Sequence, residues 1–521
     1  MRAVMPRGCT LFSTFNFLGD RLKNTLNLVV ASLLLTLLVS GCTPANTEST
    51  LAESGTLVIP NPAENSDHGY LLEDNRIPSI LTCEEWEEFW VFEGPALSFA
   101  IAEAAANSEI AVSTQIYIKN KLLDKNQDGI LCYFEDISLS ASASSAITPV
   151  SDLSPAAECK IESTISGYEQ KDSGFPRSPD YTVPTDGKIV IQLIYVEAQD
   201  LEHNNAPEKD VGFWIDGTGQ FLTDVTDGKI QFEWRFVNKY FKLPRSFESF
   251  SMTREKQGNP VAFVQAAITA SDSEIDFTEV DMVIAVPPPE ITRELIDFSP
   301  ALPLDSSNGF RTSEGNVYRG TLAGADTRWE EGYLLIAHEI GHLLGLEDYY
   351  SHEWEFDDPY EEQFKFMGEF DNMNSAAGKA REWTGWSRWL LGTLDDSQIR
   401  CNAGAEETTH QLWAISDSAS EPKIVVVPIS PTSAIVVESR KTRRHDRMLP
   451  QANEGLLVYI VDTKKPNGSG PLNIVRKDNL QDPFLLDAPL RLGESVTVNG
   501  YKIENIETGK LWDVAKITRV N

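Results

Sequence analysis

Histidine is scarce in this chain, with seven residues in 521. Basic residues are also few: 44 Lys and Arg stand against 78 Asp and Glu, a net charge of −34. That balance argues against nucleic-acid binding, which needs basic patches, and favours solubility, cation binding or saline surroundings. Long apolar runs are limited to residues 28–39, a stretch too short for a comfortable membrane span. Internal repeats are absent, and so is any cysteine-switch pattern. Cysteine is restricted to six residues. The length exceeds one ordinary domain, so about two to four are expected.

The N-terminus reads as an address. Arg2, Arg7, Arg21 and Lys23 precede or flank the apolar run, which ends in Leu38-Val39-Ser40-Gly41-Cys42. This segment resembles a bacterial lipoprotein box, which implies cleavage before Cys42 and acylation of that residue. Residues 1–41 are then a signal peptide. Residues 42–76, rich in Thr, Asn, Glu, Ser and Pro, are a flexible tether. The mature protein is expected on a bacterial cell surface, lipid-anchored, with its body outside the cytoplasm. With Cys9 in the signal and Cys42 acylated, Cys83, Cys132, Cys159 and Cys401 remain. An even number in an exported protein suggests two disulfides with three possible connectivities. Cys83–Cys132 within a small module and Cys159–Cys401 across a large one is the favoured pairing.

The chemistry concentrates in His338-Glu339-Ile340-Gly341-His342-Leu343-Leu344-Gly345-Leu346-Glu347-Asp348. Residues four apart share one helix face, so His338 and His342 can hold one metal ion. Glu339 lies close enough to take a proton from a water there. Gly345 can end the helix in a left-handed conformation, turning Asp348 back as third ligand. Glu347 and His352 are rival third ligands. The apolar stretch from Tyr333 to Ala337 would bury the helix against a core.

A second constellation spans residues 124–135. Asp124, Asn126 and Asp128 supply oxygen at positions one, three and five of a calcium loop, with Gly129 at the sharp turn. Ile130 would offer its carbonyl and Glu135 both carboxylate oxygens. Such hard oxygens suit calcium better than zinc. With Cys83 and Cys132 this region resembles the Excalibur family of small extracellular calcium-binding modules, placed at residues 77–137. The segment between them is longer and more aromatic than that family suggests, with Trp86, Phe89, Trp90 and Phe92. Residues 138–158 include the Ser/Ala-rich run 138–145 and read as a low-complexity linker.

Segments 188–196, 229–236 and 280–286 read as strands ahead of the metal helix, the last stopped by Pro287-Pro288-Pro289. Beyond residue 400 the pattern is all β, with strands at 423–429, 434–438, 456–461, 495–498 and 501–506. Asn499-Gly500 is a hairpin signal between the last two.

The extended zinc motif ending in Asp resembles metzincins, and especially the immune inhibitor A family of secreted bacterial metallopeptidases. Gly368-Glu369-Phe370-Asp371-Asn372-Met373 is similar to that family's Met-turn, which implies Met373, rather than Met367, as a packed floor beneath the metal. Trp383-Thr384-Gly385-Trp386-Ser387-Arg388-Trp389, Gly174-Phe175-Pro176-Arg177, Val437-Glu438-Ser439-Arg440 and 455–462 are similar to further segments. The tyrosine that some metzincins place two residues after the Met is missing, since Asn374-Ser375 follows; Tyr349 and Tyr350 are the neighbours of interest. The expectation is a multidomain α/β protein: a metzincin-like zinc-peptidase domain at 159–399, a C-terminal β-sandwich-like domain at 400–521 and the small calcium module. It implies a zinc endopeptidase acting on protein or peptide substrates, with His338, His342 and Asp348 on zinc and Glu339 as base. The alternative is an inert surface lipoprotein that binds extracellular partners.

Overall fold

The computed structural model describes residues 143–521 except 144, 165–172, 178–184, 186, 306, 356–357, 418–419 and 521, together with three earlier strands. The chain divides into two compact units, 1–139 and 140–521. In the first unit, β1 (Gly69–Glu73), β2 (Ser113–Ile118) and β3 (Leu131–Tyr133) form an antiparallel sheet. β1 falls within the expected tether 42–76, and β3 within the expected calcium loop. Cys42, Cys83, Asp124, Asn126, Asp128, Ile130 and Glu135 lie outside the described residues, and only the backbone of Cys132 lies inside them.

The second unit starts from β4 (Gly187–Glu197), a strand buried along nearly its whole length. Successive side chains point to opposite faces. Ile189, Ile191, Leu193 and Tyr195 enter one apolar cluster, while Ile194 and Val196 enter another. A strand buried on both faces belongs in the middle of a largely parallel sheet. Parallel neighbours flank it, β5 (Ile230–Phe236) on one side and β7 (Met282–Val286) on the other, and β6 (Phe241–Lys242) extends the pairing at its end. β7 pairs with β11 (Arg319–Leu322) in parallel, and β8 (Leu302–Pro303) closes that edge antiparallel. A minor hairpin of β9 (Phe310–Arg311) and β10 (Asn316–Val317) lies between them in sequence.

Helices cover both faces. α1 (Glu208–Val225) and α3 (Tyr333–Leu344) pack on one, through Phe221, Leu222, Leu334 and Ile340 among others. α2 (Pro260–Ser271) packs on the other, through Phe263, Val264, Ala267 and Ile268. Asn259 caps α2 by accepting from Ala262 N–H at 2.9 Å, with Pro260 opening the helix, so orphan donors are met at its start.

The β-rich remainder has two sheets. One runs β12 (Ile399–Cys401), β14 (Ile424–Ser430), β15 (Ser433–Arg440), β16 (Gly455–Asp462), β17 (Leu472–Ile474). The other runs β13 (Glu407–Trp413), β20 (Trp512–Arg519), β19 (Tyr501–Thr508), β18 (Ser495–Val498). Val425, Val427, Ile435 and Val437 face the second sheet through Ile503, Ala515 and Ile517. The alternate residues Ile424, Val426, Ala434 and Val436 join the core that also holds α3. The first sheet is therefore covered on both faces. The expected strands match to within about two residues, and Asn499 and Gly500 turn the last hairpin with φ of 49° and 79°.

The described end of the expected linker is fastened rather than free. Thr148 N–H donates to Thr409 O at 2.9 Å, and Thr409 N–H to Thr148 Oγ1 at 2.8 Å. This covers the open edge of β13. Cys159 and Cys401 form a disulfide across 242 residues of sequence, as expected. Among the described residues no helix is long and apolar enough to cross a membrane.

Candidate metal centre

α3 carries the motif, and its end sets the geometry. Gly345 adopts φ 106°, and its N–H bonds His342 O at 2.9 Å while Leu346 N–H bonds Gly341 O at 2.9 Å. These paired bonds satisfy carbonyls that a helix end leaves open and reverse the chain. Arg177 Nη1 donates to Leu344 O at 2.5 Å, placing a cation at the negative end of the helix dipole. The reversal brings Asp348 back over the histidines. His338 Nε2 and His342 Nε2 lie 3.1 and 3.0 Å from the same Asp348 Oδ1.

His338, His342 and Asp348 are buried, at 5, 5 and 6% exposure, and offer ligand atoms within 4.8 Å of one another. This group could hold a metal ion. The remaining ring nitrogens favour that use. His338 Nδ1 lies 2.9 Å from Asn372 O and His342 Nδ1 2.8 Å from Leu346 O. Backbone carbonyls only accept, so each Nδ1 carries a proton, and Nε2, turned to Asp348, is the ring atom that a metal would take.

Two of the three buried groups have shifted pKa values. Burial pushes the Asp348 carboxyl up, but His342, His338 and His352 together hold it well below the usual carboxylate range. Burial depresses the His338 imidazole, yet its bond to Asp348 and the charges of Glu339 and Asp348 leave it raised overall.

The rivals take other places. Glu347 turns away from the cluster and accepts from Ser173 Oγ. His352 Nε2 lies 3.0 Å from Asp348 Oδ2, on the oxygen opposite the other two histidines, and is half-exposed. Glu339 accepts from Ala301 N–H at 2.6 Å, beside the edge strand β8. Of the two tyrosines, Tyr349 is buried and bonded to Ser387 Oγ at 2.7 Å. Tyr350 stacks on His338 with ring centroids 6.2 Å apart. Burial, with the charges of Asp348 and Glu339, pushes its hydroxyl well above the usual phenol range and keeps it a donor.

Met373 is fully buried, and a Cβ on Gly341 would overlap its sulfur, so the side chain lies directly against α3. Asp371 holds the turn at φ 70°, accepting from Met373 N–H at 2.8 Å and Thr384 N–H at 2.7 Å. Burial raises its carboxyl to about 6 against those bonds. Thr384 caps α4 (Gly385–Leu390), whose Trp386 Nε1 donates to Ser173 O at 2.7 Å. Glu438 of β15 accepts from Gly385 N–H at 2.8 Å and pairs with Arg440 at 2.7 Å. The separated sequence segments thus meet around one helix.

Sequence reasoning missed Ala301 and Asn467, and placed Asn372 in the Met-turn segment without giving it a role. Asn372 also donates through Nδ2 to Leu334 O at 3.0 Å, fixing the turn to the first coil of α3. Asn467 reaches Asp348 from the β16–β17 loop, with its Oδ1 2.6 Å from Asp348 N. These contacts span 34 to 119 residues of sequence, beyond any local pattern. No protein-family model matches this chain, and no curated protein matches it significantly.

Proposed function

We propose that this protein is a zinc-dependent endopeptidase, held on a bacterial cell surface by acyl chains on Cys42. The observation that carries the reading is the convergence of His338 Nε2 and His342 Nε2 on Asp348, with Glu339 one residue from His338. Two neutral imidazoles and one carboxylate are the donor set of a catalytic zinc site that keeps a position open. Purely hard cations favour all-oxygen sites, which this is not. Metzincin-type relationship, rather than another zinc-hydrolase class, rests on the resemblance of the motif and its Met-turn.

When bound there, zinc supplies Lewis acidity toward a peptide carbonyl and lowers the pKa of water toward about 7. His338 and His342 would hold the ion through Nε2, because Asn372 O and Leu346 O engage Nδ1. Glu339 takes the proton of the attacking water and delivers it to the departing amine, acting as base and then acid. Ala301 N–H orients that carboxylate beside the β8 edge. Tyr350 presents a protonated phenol beside Asp348, suited to donate to charge that develops on the substrate oxygen. Residues 124–135 add a structural calcium site in this reading, with Asp124, Asn126, Asp128, Ile130 and Glu135 as ligands.

The test compares wild type with Glu339→Gln for zinc content and cleavage of an unfolded protein substrate. The expected result is about one zinc in each and a loss of cleavage on the order of 10²–10⁴-fold in the variant. Equal cleavage by both would remove Glu339 from the role of base. A wild-type chain that holds no zinc and cleaves nothing would point to the inert binding lipoprotein.

A further inference from the structure

The third ligand is the one that helix geometry does not fix. His338 and His342 are carried by α3, but Asp348 sits three residues past the helix-ending Gly345. A carboxylate on a turn needs support from elsewhere to hold its place.

That support comes from the C-terminal β-region. Asp348 N–H donates to Asn467 Oδ1 at 2.6 Å, and Asn467 Nδ2 approaches Asp348 Oδ2 at 3.4 Å. Gly468 N–H donates to Asp348 O at 3.2 Å, and His352 N–H donates back to Gly468 O at 2.9 Å. The loop therefore binds Asp348 at its amide, its carbonyl and its carboxylate. It also fixes the backbone of His352, whose Nε2 meets the same carboxylate at 3.0 Å. This loop joins β16 and β17, two strands of the sheet that shares its core with α3.

We infer that Asn467 is the positioning residue for the third metal ligand, so that metal retention depends on a loop of the C-terminal β-region. The inference rests on the zinc reading above and assigns to residues beyond 400 a part in the metal centre itself. Asn467 touches neither the ion nor the substrate; it acts through Asp348. Partners that orient a metal ligand typically account for about 10–100-fold in affinity.

The experiment measures zinc dissociation constants by competition with a chromophoric chelator, on the full chain, for wild type, Asn467→Ala, Asn467→Ser and Ser469→Ala. Thermal midpoints and circular dichroism on the same samples report folding. Asn467→Ala should weaken zinc binding by about 10–100-fold. Asn467→Ser keeps a neutral acceptor for Asp348 N–H and should recover part of that loss, which a loop with only a packing role would not produce. Ser469→Ala, in the same loop, should match wild type. An Asn467→Ala chain that is folded and within twofold of wild type overturns the inference, as does equal weakening by Ala and Ser. Should Asn467→Ala fail to fold, Asn467→Ser decides: affinity within tenfold of wild type supports the inference, and a folded variant weakened more than tenfold overturns it. A wild-type chain without zinc affinity would sink the underlying reading, a result distinct from either variant outcome.

Discussion

His342 Nε2 and Asp348 Oδ1 stand 3.0 Å apart across the turn that Gly345 begins, and His338 Nε2 reaches the same oxygen at 3.1 Å. Two imidazoles thus share one carboxylate oxygen. Because Asp348 and Glu339 raise the His338 pKa against the pull of burial, a proton competes with a metal for His338 Nε2. Under the proposed zinc reading, metal binding must displace it, so zinc affinity should fall as pH drops, by about tenfold per pH unit per displaced proton. Asp348→Asn should weaken zinc binding and also move the onset of this fall to lower pH, because the anion that raises His338 is gone. Chelator competition across a pH series measures both. An onset unchanged in the variant would contradict the assigned cause.

Gly341 and Met373 provide a test of packing beneath the site. Alanine normally improves a helix by up to about 1 kcal/mol over glycine. Here a Cβ would overlap the Met373 sulfur and crowd the Trp383 ring. Overpacking of a closed core costs about 1–3 kcal/mol, so the clash should win. Gly341→Ala is expected to destabilise the protein by about 1 kcal/mol or more, read from denaturant midpoints. A stabilised variant would mean that the Met373 turn yields freely.

His410 offers a stability test away from the site. It is buried in β13, neither ring nitrogen has a hydrogen-bond partner, and burial, helped by Arg400, depresses its pKa to about 3. Its unfolded value is near 6.5. As pH falls below that value the unfolded chain takes up a proton while the folded one stays neutral until about 3. Stability associated with His410 is therefore complete above about 6.5 and drains away toward 3, by on the order of 5 kcal/mol at most. His410→Leu should flatten this part of the acid limb in pH-dependent unfolding. A variant as acid-sensitive as wild type would show that other groups set the limb.

Legibility in the sequence followed the range of each interaction. The candidate ligand trio lies within eleven residues, where helix period pairs the two histidines and one glycine turns the chain back, so it could be read directly, with Glu347 and His352 still rivals for the third place. The strands around Val190, Ile284 and Val436 were legible because their apolar content is dense and local. α1 was not, because Gly217 and Gly219 look like breakers. The ring of Tyr333 leaves no space for a Cβ at Gly217, so close approach of α1 to α3 overrides propensity there. Asn467 was illegible for a different reason. Its partner lies 119 residues away, and only the completed sheet places them together.

The sheet from β12 to β17 has no spare face. Val436 looks toward the metal helix's core and Val437 toward the second sheet. A sequence change on either side is felt by the other through one strand's thickness. Residues 140–521 form one compact unit, so separating the chain near 400 should expose apolar faces on both sides, whereas a cut near 140 should not. The unit of folding is larger than the unit of chemistry.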